Sequence, residues 1–416
     1  MSTPVHLSDL RGLSRLGVDG VRGVTDLVEH LHHAILRVPG LRAVTPEART
    51  GGIPGLVYRS IHGVTGMVGA GLDLGFARLG PGSAQAPDRT SAARKHFLAV
   101  LNGVLGDHLA ATANPLAIRS AFHRAGTPVD ITPDSLAAAF APSRRQAGAP
   151  ARLLVTAHGL CMHDGHWHAN AGDGRTDYRD GLPVRIARAL SCPSIDFHYN
   201  TGRHVSDSGR EFAAMLEKLV DDWPVEIDEL VILGHSMGGL VARSAVHYGI
   251  EAGHDWPARL KKLVFLGTPH HGSPVERAGH GIDRALGISR YSAPFTRLGK
   301  MRSAGITDLR HGNVTAADRP GPDRFAHAHD TRTPVLLPAH VECFAAAATL
   351  DAAPDSRRSR HFGDGLVPVP SALGQHENPL RRLPIDPNNR HVATATGHLD
   401  LLRCPDVARR IVGWLG

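Results

Sequence analysis

Leu230-Val231-Ile232-Leu233-Gly234-His235-Ser236-Met237-Gly238-Gly239 joins a branched apolar run to the start of a helical pattern. Apolar residues at 230–233 read as a strand, and Leu240, Val241, Ala242, Ala245 and Val246 recur with helical spacing after the glycines. A serine at so sharp a strand-to-helix turn takes a strained backbone conformation, and glycines two residues to either side let neighbouring backbone pass close to it. Its hydroxyl is thereby lifted above the sheet. Ser236 is the candidate nucleophile.

A free hydroxyl is a poor nucleophile at neutral pH, so Ser236 requires a base, and the base requires a carboxylate to orient it. Downstream, Pro334–Phe344 reads as a strand, and His361-Phe362-Gly363-Asp364-Gly365-Leu366-Val367-Pro368 then sets an aspartate in a tight Asp-Gly turn. Asp364 is the candidate acid, with Asp330, Asp351 and Asp355 as competitors. A short strand-like run, His391–Thr394, precedes Gly397-His398-Leu399-Asp400, and an amphipathic helix from about Pro405 to Leu415 follows. His398 is the candidate base. Its rivals are His361, His376 and His391 in a chain of 28 histidines.

Acyl chemistry also needs donors aimed at the oxygen on which charge develops. Met237, at the start of the helix, offers its N–H where the helix dipole favours negative charge. Leu153-Leu154-Val155-Thr156-Ala157-His158-Gly159-Leu160 is a strand ending in His-Gly, and Leu160 N–H is the expected second donor. His158, Gly159, Gly234, His235 and Gly238 then fall around the nucleophile.

On these segments the chain resembles the lipase and esterase branch of the α/β-hydrolases over roughly residues 150–416. Leu263-Val264-Phe265-Leu266-Gly267-Thr268-Pro269-His270-His271-Gly272-Ser273 is similar to the Gly-Thr-Pro-His-x-Gly segment of bacterial lipases and inositol-deacylase-like esterases. In that family the segment helps wall the active site, which implies a pocket-lining place for His270 and His271 and no part in the triad. The segments around Asp364 and His398 look like the family's acid and base loops. The resemblance implies an α/β fold whose mostly parallel sheet is flanked by helices. It further implies a serine carboxylester hydrolase acting on esters, with Ser236, His398 and Asp364 as its triad and no cofactor. The apolar residues of the expected cap point to a hydrophobic acyl part. An acyltransferase on the same fold, and a depolymerase or binding protein of intracellular polyester or lipid granules, are the alternatives.

Length and composition agree with an enzyme carrying an extension: 416 residues, 42% hydrophobic and 20% charged. The net charge of +7 is scattered, so anionic surfaces are favoured partners, and no nucleic-acid motif is found. Cys161, Cys192, Cys343 and Cys404 lack a Cys-x-x-Cys pair, which speaks against a disulfide framework. Neither a signal peptide nor an apolar run of membrane-spanning length is recognised, so a cytoplasmic protein is expected. His158, His163, His166 and His168 beside Asp164 invite a metal reading, but they lack a recognised ligand spacing, and no metal is expected.

The expected organisation is a helical N-terminal region over residues 1–140, a linker at 141–150 and a catalytic domain at 151–416. Val18, Val21, Val24, Val28, Leu31 and Ile35 mark a first helix, Val57 to Phe76 a second, and Ala92–Thr112 a third. The second carries Gly63, Gly66, Gly69, Gly71 and Gly75, each costing about 1 kcal/mol relative to alanine. Close helix packing offsets such a cost, and contact with a membrane surface or lipid granule is the functional alternative. Strands are expected at 151–157, 194–199, 229–234, 261–266, 334–344 and 389–394, with helices near 180–190, 206–221 and 237–248. That alternation implies a mostly parallel sheet covered on both faces. Residues 274–333 are too long for a simple connection and read as a cap insertion.

Overall fold

The computed structural model describes residues 8–20, 66–67, 70, 73, 92–140, 151–168, 180–273, 303–319, 330 and 332–416. The chain divides into two compact units, one of residues 1–92 and 109–117, the other of residues 93–108 and 118–416. In the first unit residues 8–20 are helical. Arg11 and Arg15 both bind the carboxylate of Asp73, at 2.6 and 2.7 Å, and Asn114 Nδ2 donates to Gly12 O at 3.1 Å. The expected linker, most of the glycine-rich second helix and most of the expected cap lie outside the described residues.

The second unit holds an eight-stranded sheet: β1 (Ala121–Arg124), β2 (Thr127–Val129), β3 (Arg152–Ala157), β4 (Ser194–His198), β5 (Glu229–His235), β6 (Leu260–Leu266), β7 (Glu342–Ala348) and β8 (Arg390–Ala393). Their order is β2-β1-β4-β3-β5-β6-β7-β8. From β4 to β8 every pairing is parallel, while β1 runs antiparallel to both β2 and β4. Two expectations are corrected. The region of residues 1–140 is not all helical, because the hairpin 121–129 extends the sheet's edge ahead of residue 151. The strand expected at 334–344 instead spans Glu342–Ala348, completed by four alanines whose weak strand preference hides it from pattern reading.

Strand side chains alternate between two cores, as period-two geometry requires. Leu153, Val155, Leu230, Ile232, Leu263, Phe265, Ala345 and Ala347 face one cluster, which receives Phe212 and Leu216 from α1 (Val205–Asp221) and Leu240 and Val241 from α2 (Met237–Glu251). Leu154, Val231, Leu233, Val264, Leu266, Phe344 and Ala346 face the other, which receives Ile186 from the helix Leu182–Ala189 and Val407 and Ile411 from the helix Pro405–Leu415. Burial on both faces explains why these strands read as continuous apolar runs.

The connections position the site. From β3 the chain crosses to β4 on one side, then returns past β3 to β5 on the other. The loops leaving β3 and β5 therefore diverge at the C-terminal edge of two adjacent strands, which is where open α/β sheets bind ligands. Gly159 follows β3, and Ser236 follows β5. Among the described residues no helix is long and apolar enough to cross a membrane. The four cysteines are unpaired.

Candidate active site

Ser236 stands between β5 and α2 with φ 53° and ψ −124°, a region that side-chain-bearing residues rarely occupy. The strain is held from several directions. Ser236 N donates to Leu266 O at 2.8 Å, anchoring the turn to β6. A Cβ on Gly238 would fall 2.1 Å from Ala157 O, and one on Gly234 would fall 2.6 Å from Gly239 N, so both positions need glycine for backbone to pass backbone. Ser236 is 8% exposed.

Asp364 and His398, brought together from loops 34 residues apart, meet at 2.7 Å between Oδ2 and Nδ1. The turn around Asp364 explains its aim: Gly363 and Gly365 take positive φ, and Asp364 Oδ1 accepts from Leu366 N at 3.0 Å and Val367 N at 2.8 Å. One carboxylate oxygen is thus fixed by backbone donors, and the other is left for the imidazole. His398 also meets the strand that precedes Ser236, because His235 Nε2 lies 3.2 Å from His398 O and their rings are 4.8 Å apart. A Cβ on Gly267 would come within 3.1 Å of His398 Cε1. The competing groups lie elsewhere. Asp330 pairs with Arg332 and Arg381, Asp351 accepts from Ser356 Oγ, and His391 pairs with Asp406 at 2.9 Å.

The loop after β3 reaches Ser236. A Cβ on Gly159 would stand 3.0 Å from Ser236 Cβ. Tyr199 Oη donates to His158 O at 2.8 Å, Cys161 N donates to Thr201 Oγ1 at 3.2 Å, and Cys161 itself takes φ 57°. Tyr199 and Thr201 follow β4 and were not singled out from the sequence; only the β3–β4 pairing makes them neighbours. Leu160 lies within this braced turn, partly buried against the core. Met237 opens α2, where an N–H has no carbonyl of its own helix to meet. Burial pushes the Cys161 thiol up to about 12, which favours its protonated form.

His270 and His271 sit apart from this group. His270 Nδ1 lies 3.4 Å from Arg243 Nη1, its ring meets Phe265 edge-on, and His271 N donates to Ser371 Oγ at 3.1 Å. The segment Ser303–Asp308, within the expected cap, closes over the N-terminus of α2: a Cβ on Gly305 would fall 3.0 Å from Met237 Cε. Asp308, which sequence reasoning passed over, is 2% exposed, and its Oδ2 accepts from Val205 N at 2.8 Å at the start of α1.

Burial holds His235 and His270 well below the ordinary imidazole pKa, the nearby His398 adding to the effect at His235 and Arg243 at His270. Burial, and then Arg332, bring His271 down to about 3. Each stays neutral in the folded chain but gains a proton in the unfolded one, so their contribution to stability is complete above about pH 6.5 and is lost as pH falls. Urea unfolding between pH 7 and 5 is expected to show this fall, and equal stability at both ends would refute it.

Residues 196–318 match the PGAP1-like alpha/beta domain, a span that includes Ser236 but neither Asp364 nor His398. No curated protein matches the chain in sequence. Among solved structures, the Bacillus licheniformis lipase BlEst2 in mature form is similar at 16% identity and TM-score 0.42, covering 66% of this chain and 95% of that one. An esterase of the archaeon Pyrobaculum calidifontis is similar at 13% identity and TM-score 0.39, covering 65% and 78%. The fold assignment rests on strand order, crossovers and the turn at Ser236 instead of on these likenesses. The chain is an α/β-hydrolase-fold protein, with a PGAP1-like match over residues 196–318 that includes the strand-to-helix turn carrying Ser236.

Proposed function

We propose that the protein is a serine carboxylester hydrolase in which Ser236, His398 and Asp364 act as a triad. The observation that carries this reading is the 2.7 Å Asp364–His398 pair beside a serine held at φ 53°. In the proposed reaction His398 Nε2 takes the Ser236 hydroxyl proton as Oγ attacks the ester carbonyl carbon. Asp364 keeps the other ring nitrogen protonated and stabilises the imidazolium that forms. The backbone N–H groups of Met237 and Leu160 receive the oxyanion. Collapse of the tetrahedral adduct breaks the ester C–O bond, and His398 returns the proton to the departing alcohol. Water, deprotonated by the same imidazole, then attacks the acyl-serine and releases the carboxylic acid.

The PGAP1-like match around Ser236 supports hydrolase chemistry at this turn. An ester with a hydrophobic acyl part is the proposed substrate class, a reading supported by the apolar residues Met237 and Ile306, which lie buried where the segment Ser303–Asp308 meets the start of α2. The test is a p-nitrophenyl ester series from acetate to palmitate on the full chain. Turnover that rises with acyl length is expected. Absence of turnover on every ester would reject the proposal, and preference for acetate would reject its substrate class.

A further inference from the structure

We propose that His123, Asp164 and His198 form a binding site for one divalent transition-metal ion of the zinc class. Asp164 opens the 3-10 helix Asp164–His168 and is 1% exposed, a buried carboxylate ringed by imidazoles. His123 Nδ1 lies 3.3 Å from Asp164 Oδ2, and His198 Nδ1 lies 3.6 Å from Asp164 Oδ1. The ligand atoms of the three side chains all fall within 4.8 Å of one another. Among the described residues, His123 Nδ1, Asp164 Oδ2 and His198 Nδ1 are buried with no hydrogen-bond partner. Three orphaned polar atoms facing one another are costly unless something unites them.

The spacing agrees with a shared ion. Ligand atoms about 2.0–2.2 Å from a tetrahedral zinc stand about 3.3–3.6 Å apart, and the two imidazole nitrogens lie 3.3 and 3.6 Å from one carboxylate oxygen each, longer than a good hydrogen bond. Two neutral imidazoles and one carboxylate form a borderline donor set that suits zinc over calcium or magnesium, with a fourth position left for water. Strand geometry explains the convergence. Ala121 pairs with His198 and His123 with Asp196, so both histidines project from the same face of β1 and β4, with stacked rings 4.6 Å apart. Ligands drawn from two strands and a loop leave no spacing signature. Of the loop cluster set aside in the sequence, only Asp164 takes part.

A second trio, His96, His163 and His166, comes equally close together. It lacks a carboxylate, and His163 Nδ1 and His166 Nδ1 already accept from the backbone N–H groups of Gly165 and His163. The first trio, with its carboxylate and its unbonded imidazole nitrogens, is therefore the one proposed. An ion there would tie the loop that carries Gly159 and Leu160 to β1 and β4, since the His158 ring lies 5.5 Å from that of His198. The role is one of positioning, because no ligand touches Ser236.

The test uses the full chain stripped with chelator. Titration with Co²⁺ is expected to give one equivalent bound with the intense visible bands of a four-coordinate nitrogen and oxygen site, and Zn²⁺ in excess to raise Tm by several degrees. His123→Gln and His198→Gln are each expected to weaken Co²⁺ binding at least 100-fold, while His96→Gln leaves it unchanged. Failure of the folded wild-type chain to bind Co²⁺ or respond to Zn²⁺ would overturn the site and leave a plain histidine–carboxylate cluster. Binding lost in His96→Gln but kept in His198→Gln would overturn it as well. The wild-type titration decides even where a variant fails to fold.

Discussion

Ser236→Ala is expected to lower kcat on a p-nitrophenyl ester about a millionfold, the loss seen when the nucleophile of a cooperating triad is removed. The size of the effect follows from what remains. Donors at Met237 and Leu160 would still bind the carbonyl, but without Oγ no acyl-enzyme forms, and the His398–Asp364 pair has no alcohol to activate. The fold should not change. Alanine keeps the Cβ that already sits at φ 53°, and the 2.8 Å bond from the residue 236 N–H to Leu266 O does not involve the side chain. Steady-state kinetics together with thermal unfolding separate the two effects. A folded variant retaining more than about a thousandth of wild-type kcat would be incompatible with Ser236 as nucleophile.

Asp364→Asn is expected to cost about 10⁴ in kcat with little change in KM. The asparagine Oδ1 can still accept from Leu366 N and Val367 N, so the turn survives. Its amide nitrogen then faces His398 Nδ1, where a carboxylate oxygen now sits at 2.7 Å. A donor there makes Nδ1 the acceptor and shifts the ring proton to Nε2, the atom that should receive the proton of Ser236. Substitution of the competing acid, Asp351→Asn, is expected to leave kcat within about twofold, since its carboxylate serves only the Ser356 turn. A larger loss at Asp351 than at Asp364 would assign the acid incorrectly.

The parts of the fold that were legible in the sequence are those whose burial leaves a chemical trace. Strands β3, β5 and β6 are buried on both faces and therefore appear as unbroken apolar runs, and the turn at Ser236 is marked by glycines that close backbone contact requires. The hairpin 121–129 was missed because its strands span only four and three residues and carry His123, Arg124, Thr127 and Pro128, with Phe122 as the lone large apolar side chain. β7 was misplaced because its buried second half is Ala345–Ala348, and alanine does not announce a strand. At the site, Gly-Asp-Gly and Gly-His-Leu-Asp were readable as loops. Choosing Asp364 over Asp330, or His398 over His391, depends on which carboxylate meets which imidazole, and that is a property of loops joined in space. The gathering of His123 and His198 around Asp164 was invisible for the same reason, because β1 and β4 become neighbours only in the sheet.

The central claim is that Ser236 is the residue that carries the acyl group, and an active-site-directed fluorophosphonate tests it at the atom concerned. After incubation with the full chain, intact mass should rise by one adduct, peptide mapping should place that adduct on Ser236, and esterase activity should fall in step with labelling. An adduct on another residue, or full ester turnover in a chain that takes up no label, would contradict it.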